Sequence, residues 1–301
     1  MNTEYRAYFA KVFELQDRIV SVHPCLSRLY PIVLANGNEL EVYQPDRSGR
    51  CYEFLTRVQV PMALPDKVRA AFPLENLDCM MACVVTSDAF STIDGYVDIF
   101  HEFVHCHQFE ECEIELKQSL GVAVEALAAK DYMWELNYPF PYQDRRVRDA
   151  YSDLVGTLRS ASKGADACAH RGETRAVAGC VEDEQRSNAD PAAAENADYQ
   201  TVSEYRKAVR DLVDTHSFEY MVWQEWKEGF ARFIENGIRA SLGLPLNLAG
   251  DLADDSSLFT RVSFYAGGAM LIEFLEGVRP ETAKDLKRLF DELIEMGSSR
   301  T

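Results

Sequence analysis

His101-Glu102-Phe103-Val104-His105 is the stretch on which both fold and chemistry turn. In a helix, histidines at i and i+4 stand one turn apart on the same face. Their imidazoles can converge on one zinc ion, each supplying a nitrogen at about 2.0–2.1 Å. Glu102, one residue from the first histidine, is placed to take a proton from a water activated by such an ion.

Working outward, the surroundings of this five-mer read as helix, from about 96–98 to 120. Phe100, Phe103 and Val104 form a buried stripe beside the histidine face, and Gln108 shares that face, one turn beyond His105. Immediately upstream, Met80–Val85 is a short apolar run that reads as a strand. Further back, Tyr30–Ala35 and Glu39–Tyr43 flank Asn36-Gly37-Asn38 as a β-hairpin, and 51–60 supplies another strand. The first segment, about 3–22, is an amphipathic helix with Phe9, Phe13, Gln16 and Val20 near one face, widened by Leu15 and Ile19.

Downstream, helical patterns cover about 122–130, 144–160, 202–215, 217–242, 258–277 and 280–296, with an aromatic, Pro-broken loop at 134–142. Residues 160–198 are rich in Ala and polar side chains and contain no Leu, Ile or Phe. Too little apolar surface is available there to offset ordering entropy, so the stretch is expected to be a flexible insertion. The organisation expected is an N-terminal helix-and-sheet subdomain at 1–95 and a helical subdomain at 96–301 that carries the site.

Composition narrows the function classes. With 31 Lys and Arg against 49 Asp and Glu, the formal charge is −18. Such a surface repels nucleic-acid phosphates and anionic lipid, so neither is an expected partner. No basic stretch followed by an apolar run marks an export signal at the N-terminus, and no run reaches the roughly 18 apolar residues of a membrane span. The eight cysteines form no C-x-x-C pair and are expected to be reduced thiols in a cytoplasmic protein. Cys106 and Cys112, though close to the motif, are not placed to complete a zinc site.

A catalytic zinc normally takes three protein ligands and keeps one position open. The candidate for the third is Glu228, in Trp226-Lys227-Glu228-Gly229-Phe230-Ala231, where Gly229 is expected to let this helix approach the motif helix closely. Glu135, thirty residues after His105, is the nearer alternative. Arg232 and Glu235, one and two turns beyond Glu228, read either as solvated helix charges or as groups that orient the metal ligands.

H-E-x-x-H followed by E-G-x-A on a later helix resembles the gluzincin branch of the zincin metallopeptidases. The resemblance is specific over about fifteen residues. The 122 residues between His105 and Glu228 are long for the family, the insertion accounting for roughly forty of them. It implies an α+β, zincin-like fold, mainly helical with a small N-terminal antiparallel sheet. It also implies one catalytic zinc on His101, His105 and Glu228, with Glu102 as general base and a peptide or protein as substrate. Met80–Val85 would be the edge strand that holds extended substrate. Tyr265, in Phe264-Tyr265-Ala266-Gly267-Gly268, matches a tyrosine that several gluzincins use to stabilise the oxyanion; a core tyrosine over tight glycine packing is the other reading. Tyr138 and Tyr142 are weaker candidates. Against catalysis stands a zinc-containing binding or regulatory protein without turnover, which would have no need of Glu102; a zinc hydrolase of non-peptide amides is a further reading.

Overall fold

Residues 3–173, 191–254 and 256–297 are described by the computed structural model of the chain. The fold is α+β. Helix α1 (Thr3–Ile19) is followed by five strands, β1 (Ile32–Asn36), β2 (Glu39–Pro45), β3 (Tyr52–Gln59), β4 (Arg69–Leu74) and β5 (Met80–Val85). Helix α1 buries Phe9, Val12, Leu15 and Ile19, whereas Val20 is 40% exposed. Its core stripe therefore lies one residue round from the expected one.

The strands form one sheet in the order β3-β2-β1-β5-β4. The β1–β2, β2–β3 and β4–β5 pairs are antiparallel, but β1 and β5 run parallel, Val33 opposite Val84. The sheet is thus mixed rather than antiparallel. Gly37, at φ +61°, supplies the left-handed residue that a two-residue β1–β2 hairpin loop requires.

Strand β5 is not an edge. It lies between β1 and β4, and five of its six residues are buried. A continuous apolar run is what a strand covered on both faces requires, and an edge strand would alternate. The edge beyond β5 is β4, absent from the sequence expectation because Ala70, Ala71 and Pro73 carry little strand propensity. Proline is tolerated there because an edge strand has donors it can spare. One face of the sheet buries Val33, Leu40, Val42, Ala82 and Val84. On the other, Phe9 of α1 meets the rings of Tyr43 and Tyr52 at 4.9 Å each.

The helices continue as α2 (Ile93–Gln108), α3 (Ile114–Ser119), α4 (Gly121–Ala128), α5 (Trp134–Asn137), α6 (Arg145–Glu173), α7 (Pro191–Arg210), α8 (Thr215–Ser241), α9 (Arg261–Val278) and α10 (Leu286–Glu295). A π turn at Phe109–Glu113 joins α2 to α3. Of the expected flexible insertion at 160–198, both ends are helical. Its first residues extend α6 to Glu173, its last belong to α7, and 174–190 lie outside the described residues. Alanine needs no buried surface to favour helix, so a stretch poor in core residues can still prolong one.

The chain divides into two compact units, one of Met1–Leu116 with Ala231–Asn247, the other of Lys117–Phe230 with Leu248–Thr301. The motif helix α2 belongs with the sheet, since it packs on β4 and β5. In the second unit Trp223, Trp226 and Phe264 are wholly buried. Arg206 and Glu225 form an ion pair there at 2.7 Å with 0% and 1% of their side chains exposed. Arg206 also donates to the Leu293 carbonyl of α10 at 2.9 and 3.1 Å, and the Tyr151 hydroxyl donates to Glu225 at 2.9 Å. Among the described residues no helix is long and apolar enough to cross a membrane.

Candidate metal centre

Helix α2 is fixed at its start before it presents the motif. The Thr92 side chain caps it by accepting from the Gly95 amide at 3.1 Å. Gly95 has no room for a side chain, because a Cβ would sit 2.1 Å from the Ala89 carbonyl oxygen. The turn at Ser87–Ser91 is thereby pressed against the helix. Tyr96, Phe100, Phe103 and Val104 are buried, which sets the phase of α2 and turns His101 and His105 to one side.

The two imidazoles face each other through their Nε2 atoms, 3.2 Å apart. Their other nitrogens are engaged. Nδ1 of His101 lies 3.2 Å from Glu235 Oε2, and Nδ1 of His105 lies 2.9 Å from Gln108 Oε1. An acceptor at each Nδ1 favours the tautomer with its proton there, leaving both Nε2 lone pairs turned toward one another. Two lone pairs at that distance repel unless a cation lies between them. Two nitrogens bound tetrahedrally to zinc at 2.0–2.1 Å would themselves be about 3.3 Å apart. The observed spacing matches.

Helix α8 runs without a break across the division at Phe230 and Ala231, so Glu228 is held on the same rigid helix as Arg232 and Glu235. His101, His105 and Glu228 each offer one ligand atom, and these atoms all lie within 4.8 Å of one another. His105 is buried and the other two half-buried. Two imidazoles and a carboxylate form a donor set suited to zinc in a site that keeps a position open.

Glu135, the nearer alternative, is committed elsewhere. Its carboxylate takes Lys117 at 2.7 Å, Lys227 at 3.1 Å and the Trp223 indole N–H at 3.0 Å. Burial acts to raise its pKa, but the charges of Lys227 and Lys117 outweigh it and bring the group down to about 2.

Glu235 and Arg232 are not solvated helix charges, being 3% and 6% exposed. Glu235 accepts from Arg232 Nε at 3.2 Å, Arg239 Nε at 2.9 Å and Asn247 Nδ2 at 2.9 Å. Burial alone would raise its pKa; the hydrogen bond from His101, with those from Asn247 and Arg239, holds it below the usual carboxylate range. The carboxylate that orients His101 is therefore itself held ionised and in place. Arg239 and Asn247 had gone unnoticed in the sequence. Arg239 carried a signal, four residues from Glu235 on one helix; Asn247, in a loop, carried none. Gln108, wholly buried, takes the orienting place that its position suggested.

Glu102 is 9% exposed. Cys83 of β5 and Cys106 are pushed well above the thiol range, by burial first and by the charge of Glu102 next. A thiol held protonated in this way is an inert packing group.

The close approach that Gly229 permits is to α9. A Cβ on Gly229 would lie 2.8 Å from the Gly268 Cα, and a Cβ on Gly268 would lie 2.6 Å from the Glu225 carbonyl oxygen. These glycines allow α8 and α9 to cross backbone to backbone. Tyr265 stands one turn before this crossing, half-buried, with the Arg261 guanidinium 5.8 Å from its ring centre. Tyr138 stacks on Tyr220 at 4.6 Å, and Tyr142 packs 5.8 Å from Phe264; both belong to the aromatic core. Compared with known proteins, the chain matches no family model, no curated sequence and no solved structure.

Proposed function

We propose that the chain is a zinc-dependent peptidase of zincin-like, gluzincin type. The observation that carries this reading is the convergence of His101, His105 and Glu228 within 4.8 Å, with Glu102 buried on the same helix. His101, His105 and Glu228 would hold the ion. Zinc, when bound, polarises a carbonyl and makes a water acidic enough to lose its proton near neutral pH.

The residues supply the rest. Glu235 and Gln108 keep the imidazoles turned with Nε2 forward. Glu102 accepts the proton of the attacking water on a carboxylate oxygen and returns it to the nitrogen of the leaving amine. Tyr265 donates its phenolic O–H to the carbonyl oxygen as negative charge develops there. Extended substrate adds to the outer edge of β4, which packs beside α2 and whose backbone groups on that side have no strand partner within the sheet.

The test is a metal analysis joined to turnover. Purified protein is expected to hold one zinc, and His101→Ala, His105→Ala and Glu228→Ala are each expected to lose it. Glu102→Gln should keep the zinc and lower peptide cleavage by about 10²–10⁴-fold. Protein without zinc would end this reading. Zinc without cleavage of any peptide in a library would favour the binding protein without turnover.

A further inference from the structure

A second site lies on the sheet unit and does not depend on the peptidase reading. Helix α1 covers only part of the sheet face that carries Tyr43 and Tyr52. Phe9 and Phe13 meet Tyr52 at 4.9 and 5.4 Å, but Phe54, two residues further along the edge strand β3, is left 49% exposed. Ala10 stands on the helix where a longer side chain would close the space. The result is a half-open cleft of about 530 Å³ between α1 and the start of β3. That volume falls within the range of small-molecule sites, and its floor is aromatic.

The charge lining the cleft runs against that of the chain. In a protein with 49 acidic and 31 basic residues, two guanidinium groups, Arg6 and Arg50, line this space with the Glu53 carboxylate, beside which Asp46 stands within 4.8 Å. Among the described residues neither Arg6 nor Arg50 takes part in an ion pair. Arg57, further along β3, is by contrast held by Glu39 and Glu41. An arginine not already bound to a carboxylate can take one in two parallel N–H···O bonds.

We propose that this cleft binds an amphipathic monocarboxylate of roughly eight to ten carbons in all. The apolar body lies on Phe13, Tyr52 and Phe54, and Arg6 and Arg50 take the carboxylate. Such a ligand buries the half-exposed Phe54 and covers part of an open sheet edge.

Titration calorimetry on the full chain tests the proposal with three probes, octanoate, 1-octanol and acetate. Octanoate is expected to bind saturably, one per chain. Octanol, without the charge, and acetate, without the body, should each bind at least about tenfold more weakly. Arg6→Gln with Arg50→Gln should weaken octanoate by about tenfold or more, and Ala10→Phe, which fills the cleft from an exposed helix position, should abolish binding while circular dichroism stays unchanged. The proposal is overturned if octanoate shows no saturation, if octanol binds as well, or if these variants bind octanoate like the parent. Metal content and peptide cleavage are read in parallel, so a failure here is distinct from a failure of the zinc site.

Discussion

Glu235 Oε2 and His101 Nδ1 meet at 3.2 Å; Arg232 donates to that same oxygen, and Arg239 and Asn247 hold the carboxylate by its other oxygen, Oε1. The histidine is thereby oriented by a group that cannot swing away. Glu235→Ala is expected to weaken zinc binding by about 10–100-fold in a chelator competition. Glu235→Gln, which keeps an acceptor oxygen, should lose less. Parent-like affinity in both variants would show that the imidazole needs no such support.

Two glycines give opposite outcomes for the same change. In a helix Gly→Ala ordinarily stabilises by up to about 1 kcal/mol. Gly156 in α6 has nothing within 4 Å of an added Cβ, so Gly156→Ala should raise the urea midpoint. Gly229→Ala would press a methyl against the Gly268 backbone at 2.8 Å, and overpacking of about 1–3 kcal/mol should dominate. Because Glu228 is the adjacent residue, Gly229→Ala is also expected to lower zinc affinity, whereas Gly156→Ala leaves it unchanged.

The buried pair Arg206–Glu225 should be costly to break and cheaper to remove. Arg206→Met leaves the Glu225 charge, 0% exposed, without its counter-ion; a loss of about 3–5 kcal/mol is expected by denaturant unfolding. Adding Glu225→Gln removes that charge and should restore part of the loss. If the double variant were as unstable as the sum of the two single ones, the pair would not be acting as a unit.

Acid should reveal Glu135. Its pKa in the folded chain is about 2, lowered from an ordinary 4.5. A depressed carboxyl contributes stability that is fully present above the unfolded value and is lost as pH falls through the folded one. The window therefore runs from about 4.5 down to 2, and the contribution at stake is roughly 3 kcal/mol. Urea unfolding at pH 6, 4 and 3 should show the parent losing stability across that window more steeply than Glu135→Gln. Parallel curves would rule this carboxylate out as a source of acid sensitivity.

The grouping of His101, His105 and Glu228 was legible because helices advertise it. A 3.6-residue period puts His101 and His105 on one face, and the E-G-x-A pattern singled out Glu228 across more than a hundred residues. What lay beyond helical spacing was not legible. Nothing local in Asn247 says that it will reach Glu235. Gly229 announced a close approach but not its nearest partner, which is Gly268 of α9. In the sheet, Met80–Val85 was recognisable as a strand, yet its continuous apolar run was the sign of an interior place, and the Ala- and Pro-bearing β4 hid the true edge. Composition misled at the insertion, where alanine prolongs helices without any core to bury.

That α8 returns the chain to the sheet unit at Ala231, after an excursion that began at Lys117, has a consequence for how the protein is made. The ribosome delivers His101 and His105 first and Glu228 only later, at 5–20 residues per second a delay of roughly 6–25 s. A nascent chain in that interval owns two thirds of a metal site and no means of finishing it. On the proposed reading zinc loading would be an event of late synthesis, and a chain halted before α8 emerges would carry the motif without the ability to keep an ion.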